Sequence, residues 1–123
     1  MKEIKLTSSE KILMEIIWEK EKVFMKDILE AYPEPKPATT TVATLLKRMQ
    51  NKDLIGYKLY GNSREYFPKV AKGEYFKEEM TSMIDRFFNS SVTQFASFFT
   101  SNAKLSQKQL KELREIIDEQ IKD

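Results

Sequence analysis

Between Tyr32 and Val70 the chain changes periodicity twice, and that succession limits the folds open to it. Pro33, Pro35 and Pro37 each lack an amide donor, so no helix runs through Pro33-Glu-Pro-Lys-Pro37. Directly after it, Val42, Leu45, Leu46 and Met49 recur at helical spacing. They predict a helix from Ala38 or Thr39, with a hydroxyl available as its N-cap. Ile55, Tyr57 and Leu59 then alternate with Gly56, Lys58 and Tyr60, the two-residue period of a strand. Gly61-Asn62 predicts a tight turn of left-handed backbone, and a return strand from Arg64 ends at Pro68. Pro68 suits the edge of a two-stranded ribbon. Such a ribbon is marginal alone and has to lean on helices.

Those helices lie upstream. Thr7-Ser-Ser-Glu10 has capping-box spacing, with Thr7 as N-cap and Glu10 reaching back to its amide. Leu13, Ile16 and Ile17, with Ile12 beside them, form an apolar stripe; Trp18 anchors the same core, and Glu19-Lys-Glu-Lys22 ends the helix. Ile4, Lys5 and Leu6 alternate and predict a short edge strand. Met25, Ile28, Leu29 and Tyr32 predict a short second helix that stops before the prolines. Two helices across a brief connection, followed by a ribbon, give a mainly α fold with a small β wing: a winged helix-turn-helix domain over residues 1–71.

With Val42, Leu45, Leu46 and Met49 turned inward, the outer face of the third helix carries Thr40, Thr41, Thr44, Lys47 and Arg48. One threonine would suffice as a cap, so the set predicts a contact surface. The net charge of +2 is unevenly spread: residues 36–69 hold seven Lys and Arg against Asp53 and Glu65. Hydroxyls and cations on a helix and a ribbon suit base edges and phosphates, so double-stranded DNA is the expected partner. Lys58, Asn62 and Arg64 at the wing, and Thr7, Ser8 and Ser9 at the first helix start, are the expected phosphate contacts. Edge-strand protection by charge is the competing account of the wing cations.

Composition shifts after Lys72-Gly73. Phe76, Met80, Met83, Ile84, Phe87 and Phe88 repeat at helical spacing, Phe95 and Phe99 follow with Val92 and Ala96, and Leu110, Leu113 and Ile117 mark a last helix. Ser106-Gln-Lys-Gln109 is a second capping box, with Leu105 placed to staple Leu110. Residues 72–123 thus read as three amphipathic helices with more apolar surface than they can bury among themselves. A dimerisation region is the simplest reading.

The 123 residues contain neither Cys nor His. Disulfides and Ser-His or Cys-His nucleophiles are excluded, metal sites lose their commonest ligands, and no cofactor is implied. Glu15, Glu19, Glu30, Glu112 and Asp118 read as solvated carboxylates, so an enzyme is not expected. No apolar run approaches a membrane span, and Met1-Lys-Glu-Ile4 lacks a signal-peptide core; the expected location is the cytoplasm.

The whole layout resembles the penicillinase repressor family of bacterial winged-helix regulators. The resemblance rests on Thr7-Ser-Ser-Glu10 followed by Met14-Glu-Ile-Ile-Trp18, and on Thr41-Val-Ala-Thr-Leu-Leu-Lys-Arg-Met49 with Lys52 and Leu54-Ile55. Tyr66-x-Pro68, Arg86-Phe-Phe-Asn-Ser90 and Leu105-Ser106 complete it. It implies a homodimer on a near-palindromic operator, repressing resistance genes, often under a membrane metalloprotease signalling system that leads to cleavage in the C-terminal part. Thr41, Thr44 and Arg48 fall where the family places operator contacts, whereas Thr40 and Ala43 stand where methicillin-type members carry Lys and Arg. Asp53 occupies a helix-ending position where the family often has Gly, and Asp can adopt the left-handed cap. The family's Asn-Phe scissile bond aligns with Gln94-Phe95, the candidate cleavage site. The C-terminal cysteine pairs of copper-responsive members are missing, which excludes a copper sensor.

Two other classes stay open on sequence alone. A winged helix can serve as a protein-interaction module, with an acidic partner on the cationic surface. A regulator answering to a small molecule could use the aromatic tail of Phe87, Phe88, Phe95, Phe98 and Phe99.

Overall fold

Helix α1 (Ser8–Lys20) begins with the expected capping box. The Thr7 hydroxyl accepts from the Glu10 amide (3.2 Å), and the Glu10 carboxylate accepts from the Thr7 amide (2.9 Å). The protein, described by a computed structural model over residues 4–122, continues through β1 (Val23–Phe24), α2 (Met25–Ala31), α3 (Thr39–Asn51), β2 (Ile55–Tyr60) and β3 (Ser63–Pro68). Helices α4 (Lys72–Phe87), α5 (Val92–Asn102) and α6 (Gln107–Gln120) follow. Residues 1–3, part of the segment read as lacking a signal-peptide core, lie outside the described residues. The chain divides into two compact units, a first through Glu78 and a second from Glu79, so the division falls inside α4.

The first unit is built on one core. Leu13, Met14 and Ile17 from α1 meet Ile28 from α2, Val42, Leu46 and Met49 from α3, and Val23, Ile55 and Tyr66 from the sheet. Each fully buried aliphatic side chain here contributes roughly 1.5–3 kcal/mol relative to exposure. Trp18 packs against this core and donates its indole N–H to the Val70 carbonyl at 2.8 Å, tying α1 to the end of the wing. Tyr75, at the start of α4, lies 5.6 Å from the Trp18 ring.

The wing differs from the expected ribbon in having a third strand. The sheet order is β1-β3-β2, antiparallel throughout, with Val23 opposite Tyr66 and Phe24 opposite Glu65. β1 has only two residues, too few to show a period. Pro68 still avoids the interior: it pairs with Ile55 at the end of β3, beyond the reach of β1. The edge strand expected at Ile4–Leu6 does not form. Ile4 and Leu6 lean on the core as irregular chain, and the Ile4 amide donates to the Glu78 carboxylate (2.9 Å) rather than to a strand.

Two connections are fixed by side chains. Lys36, in the proline-rich link, donates from Nζ to the carbonyls of Leu29 (3.1 Å), Glu30 (3.0 Å) and Tyr32 (2.9 Å), the open carbonyl end of α2. After α3, Asp53 takes φ 65°, the Asp53 amide donates to the Gln50 carbonyl (2.9 Å), and the Leu54 amide to Met49 (3.0 Å). That pair of bonds is a Schellman closure, so Asp53 adopts the left-handed cap expected of it. Asp53→Val is expected to lower stability by about 1–2 kcal/mol, because a β-branched residue fits poorly at positive φ. Asp53→Gly should be near neutral, relieving backbone strain while releasing the exposed ion pair with Lys69. Urea unfolding of both variants checks this; equal stability of the two would mean that the cap makes no conformational demand.

In the second unit Asn89 (φ 53°) and Ser90 (φ 62°) turn the chain, and Ser91 caps α5 by accepting from the Gln94 amide at 3.1 Å. The capping box of Ser106 and Gln109 starts α6 as expected. Neither α5 nor α6 buries a residue fully within the single chain.

Candidate nucleic-acid interface

α3 separates its residues by chemistry. Val42, Leu45, Leu46 and Met49 are buried, and Thr40, Thr41, Thr44, Lys47 and Arg48 are all exposed on the other side. The hydroxyl cap expected at its start is not formed: the N-cap is Ala38, which has no side-chain acceptor. The threonines are therefore not consumed in capping. Thr44 is committed differently, since its hydroxyl donates to the Thr40 carbonyl at 2.9 Å. What Thr44 offers outward is a lone pair and a methyl group. Those suit an adenine or cytosine amino group or a thymine methyl, and not a phosphate oxygen.

Arg48 is less free than its position suggests. Its Nε donates to Glu10 Oε2 at 3.2 Å, and Lys52, in the C-cap of α3, donates from Nζ to Glu10 Oε1 at 2.9 Å. The Glu10 side chain is wholly buried, while those of Arg48 and Lys52 remain 46% and 40% exposed. Burial acts to raise the Glu10 pKa, but the Thr7 amide, Lys52 and Arg48 together outweigh it and hold the carboxyl below its ordinary value of 4.5. The sequence pattern predicts only the capping role of Glu10. The available signal was its place at the head of the Leu13–Met14–Ile17 stripe, where a carboxylate enters the core face and needs cations from elsewhere.

At the wing, register decides direction. Lys58 pairs with Glu65 and Leu59 with Arg64, so Lys58 and Arg64 project from opposite faces of the hairpin. Each cation stands against a ring: Lys58 Nζ lies 5.5 Å from the Tyr60 centroid and Arg64 Cζ 4.3 Å from that of Tyr57. Asn62 sits in the exposed two-residue loop, where only Gly61 has positive φ (63°). Thr7, Ser8 and Ser9 are exposed at the start of α1.

The residues expected at a dimer contact divide by exposure. Phe76, Met80, Phe87, Phe99 and Ile117 are 41–69% exposed, and Met83, Phe88, Phe95, Leu110 and Leu113 are half-buried. Ile84 is already covered within its own chain. Phe88 meets Phe95 (5.5 Å) and Phe98 (5.6 Å), and Phe95 stacks on Phe99 (6.1 Å). The Gln94–Phe95 bond lies in the first turn of α5, where the Phe95 amide donates to the Ser91 carbonyl at 3.1 Å.

A helix with a polar outer face, preceded by a second helix across a short link and followed by a hairpin packed on the same core, defines a winged helix-turn-helix protein. The chain belongs to the penicillinase repressor family, whose sequence model matches residues 6–119. It is 23% identical over 121 residues to the penicillinase repressor of Bacillus licheniformis, covering 97% of this chain and 94% of that protein. It is also 23% identical to the penicillinase repressor of Staphylococcus aureus, covering 96% and 94%. With the methicillin resistance regulatory protein MecI of Staphylococcus aureus strain N315 it shares 25% over 118 residues, covering 95% and 96%. This is a family of transcriptional repressors and not of enzymes. Among the described residues no helix is long and apolar enough to cross a membrane.

Proposed function

We propose that this chain is a dimeric, DNA-binding repressor acting in the cytoplasm on a near-palindromic operator, with residues 1–71 as the DNA-binding part and 72–123 as the dimerisation part. The observation that carries the reading is the outer face of α3, where Thr40, Thr41, Thr44, Lys47 and Arg48 stand exposed above a wholly apolar inner face. That helix enters the major groove. The wing meets phosphates with Lys58 and Arg64 on its two faces and Asn62 at its tip, and the hydroxyls of Thr7, Ser8 and Ser9 meet the backbone nearby. A second copy covers the exposed apolar residues of α4, α5 and α6, which supports two half-sites being read together.

Inactivation by a membrane metalloprotease signalling system is part of the same proposal, with Gln94–Phe95 as the bond cut. Since that bond lies in a hydrogen-bonded first turn, α5 has to unwind there before a protease can take the chain in extended form.

Gel-shift titration of the full chain against a duplex selected from a random library tests the DNA reading. Affinity should fall steeply with added salt, as phosphate contacts require. Arg48→Ala is expected to weaken binding to the selected duplex by about 1–3 kcal/mol. Unchanged affinity would remove Arg48 from the interface, and no duplex binding in any buffer would overturn the DNA reading altogether.

A further inference from the structure

We propose that Glu10 is a positioning residue of the DNA-reading surface, holding the Arg48 guanidinium by its inner Nε so that the outer end is presented to the groove. The proposal rests on the DNA-binding reading and adds a residue that reads no base itself.

The geometry carries it. The Glu10 carboxylate has three donors: the Thr7 amide and Lys52 Nζ on Oε1 (each 2.9 Å), and Arg48 Nε on Oε2 (3.2 Å). The Thr7 bond fixes the carboxylate to the backbone of α1, and full burial of the side chain removes its freedom to swing. Arg48 is therefore gripped 38 residues away in sequence, across two packed helices. Among the described residues neither of its Nη groups has a hydrogen-bond partner, and its side chain remains about half exposed. A guanidinium gripped at Nε keeps the Nη fork that matches guanine O6 and N7. An arginine with its rotamers already restricted loses less freedom on meeting a base. Lys52 shares the same carboxylate, so one negative charge holds two cations and the cluster keeps a net positive charge.

The signature is a divergence between two affinities. Glu10→Gln retains a side-chain oxygen to accept from the Thr7 amide but removes the charge that holds Arg48 and Lys52. It raises the net positive charge by one, so affinity for a scrambled duplex should stay level or rise. Affinity for the duplex selected by the wild-type chain should fall about tenfold, the scale of one charge-assisted hydrogen bond. A merely structural role would lower both together. In the Arg48→Ala background Glu10→Gln should have no further effect on preference, because Glu10 acts through Arg48.

Both affinities are read by gel shift at fixed salt, with circular dichroism confirming the fold. Parallel loss on both duplexes, an unchanged preference, or a full additional loss in the Arg48→Ala background overturns the proposal. If Glu10→Gln does not fold, Arg48→Lys replaces it: it keeps the charge, lacks the Nε–H that Glu10 grips, and should lose the same preference. Retained preference in Arg48→Lys then overturns the proposal. Failure of the wild-type chain to prefer any duplex is a separate result and overturns the DNA reading beneath it.

Discussion

Aspartate at both Phe87 and Ile117 is expected to leave the chain folded but monomeric, and to weaken its hold on a two-half-site operator about a hundred- to ten-thousandfold. In the single chain these side chains are 69% and 57% exposed, so replacing them removes little from the fold of one copy. In a dimer covered by the tails, each aspartate would be drawn out of water, which is costlier than losing the apolar contact alone. The loss of affinity follows without any change at α3. Once the copies separate, the second half-site contact is no longer intramolecular. Sedimentation velocity at micromolar concentration reads the mass, and far-ultraviolet circular dichroism the helix content. A variant that still sediments as a dimer would mean that these faces do not join two copies.

Loss of the buried carboxylate is also expected to lower the stability of the first unit. Glu10→Ala removes the acceptor of the Thr7 amide, one half of the capping box, and the acceptor of Lys52 and Arg48. The cost is expected to be about 2 kcal/mol, from a lost bond to the Thr7 amide near 1 kcal/mol and ion-paired bonds discounted for their half-exposed partners. Acid should reveal the same interaction. Because the Glu10 pKa lies below 4.5 in the folded chain, its contribution is fully present above that pH and is lost as pH falls through the folded value. Urea midpoints of wild type and Glu10→Ala should therefore be well separated at pH 7 and draw together as the pH is lowered below 4.5. A gap that persists undiminished in acid would show that the carboxylate charge contributes nothing.

These cases mark what a reader of the sequence can and cannot see. Both capping boxes were legible because their partners sit three residues apart, and the two faces of α3 because helical period sorts Val42, Leu45, Leu46 and Met49 from the threonines. β1 was invisible, since a two-residue strand has no period of its own. Ile4–Leu6 misled for a related reason: alternation also arises when irregular chain touches a core with every second side chain. Lys58 and Arg64 are visible in the sequence as cations of the wing, but their opposed directions follow from a register that only strand pairing fixes. The second role of Glu10 depends on partners 38 and 42 residues away, and no local pattern encodes them.

The ammonium of Lys36, seated on three carbonyls at the end of α2, has a consequence for how a duplex would be met. Together with Pro33, Pro35 and Pro37 it makes the link between α2 and α3 a stiff bracket and not a hinge. The tilt of α3 relative to α2 is thus settled while the chain folds. Docking would proceed with a ready-set angle, and little disorder would be left for the nucleic acid to quench.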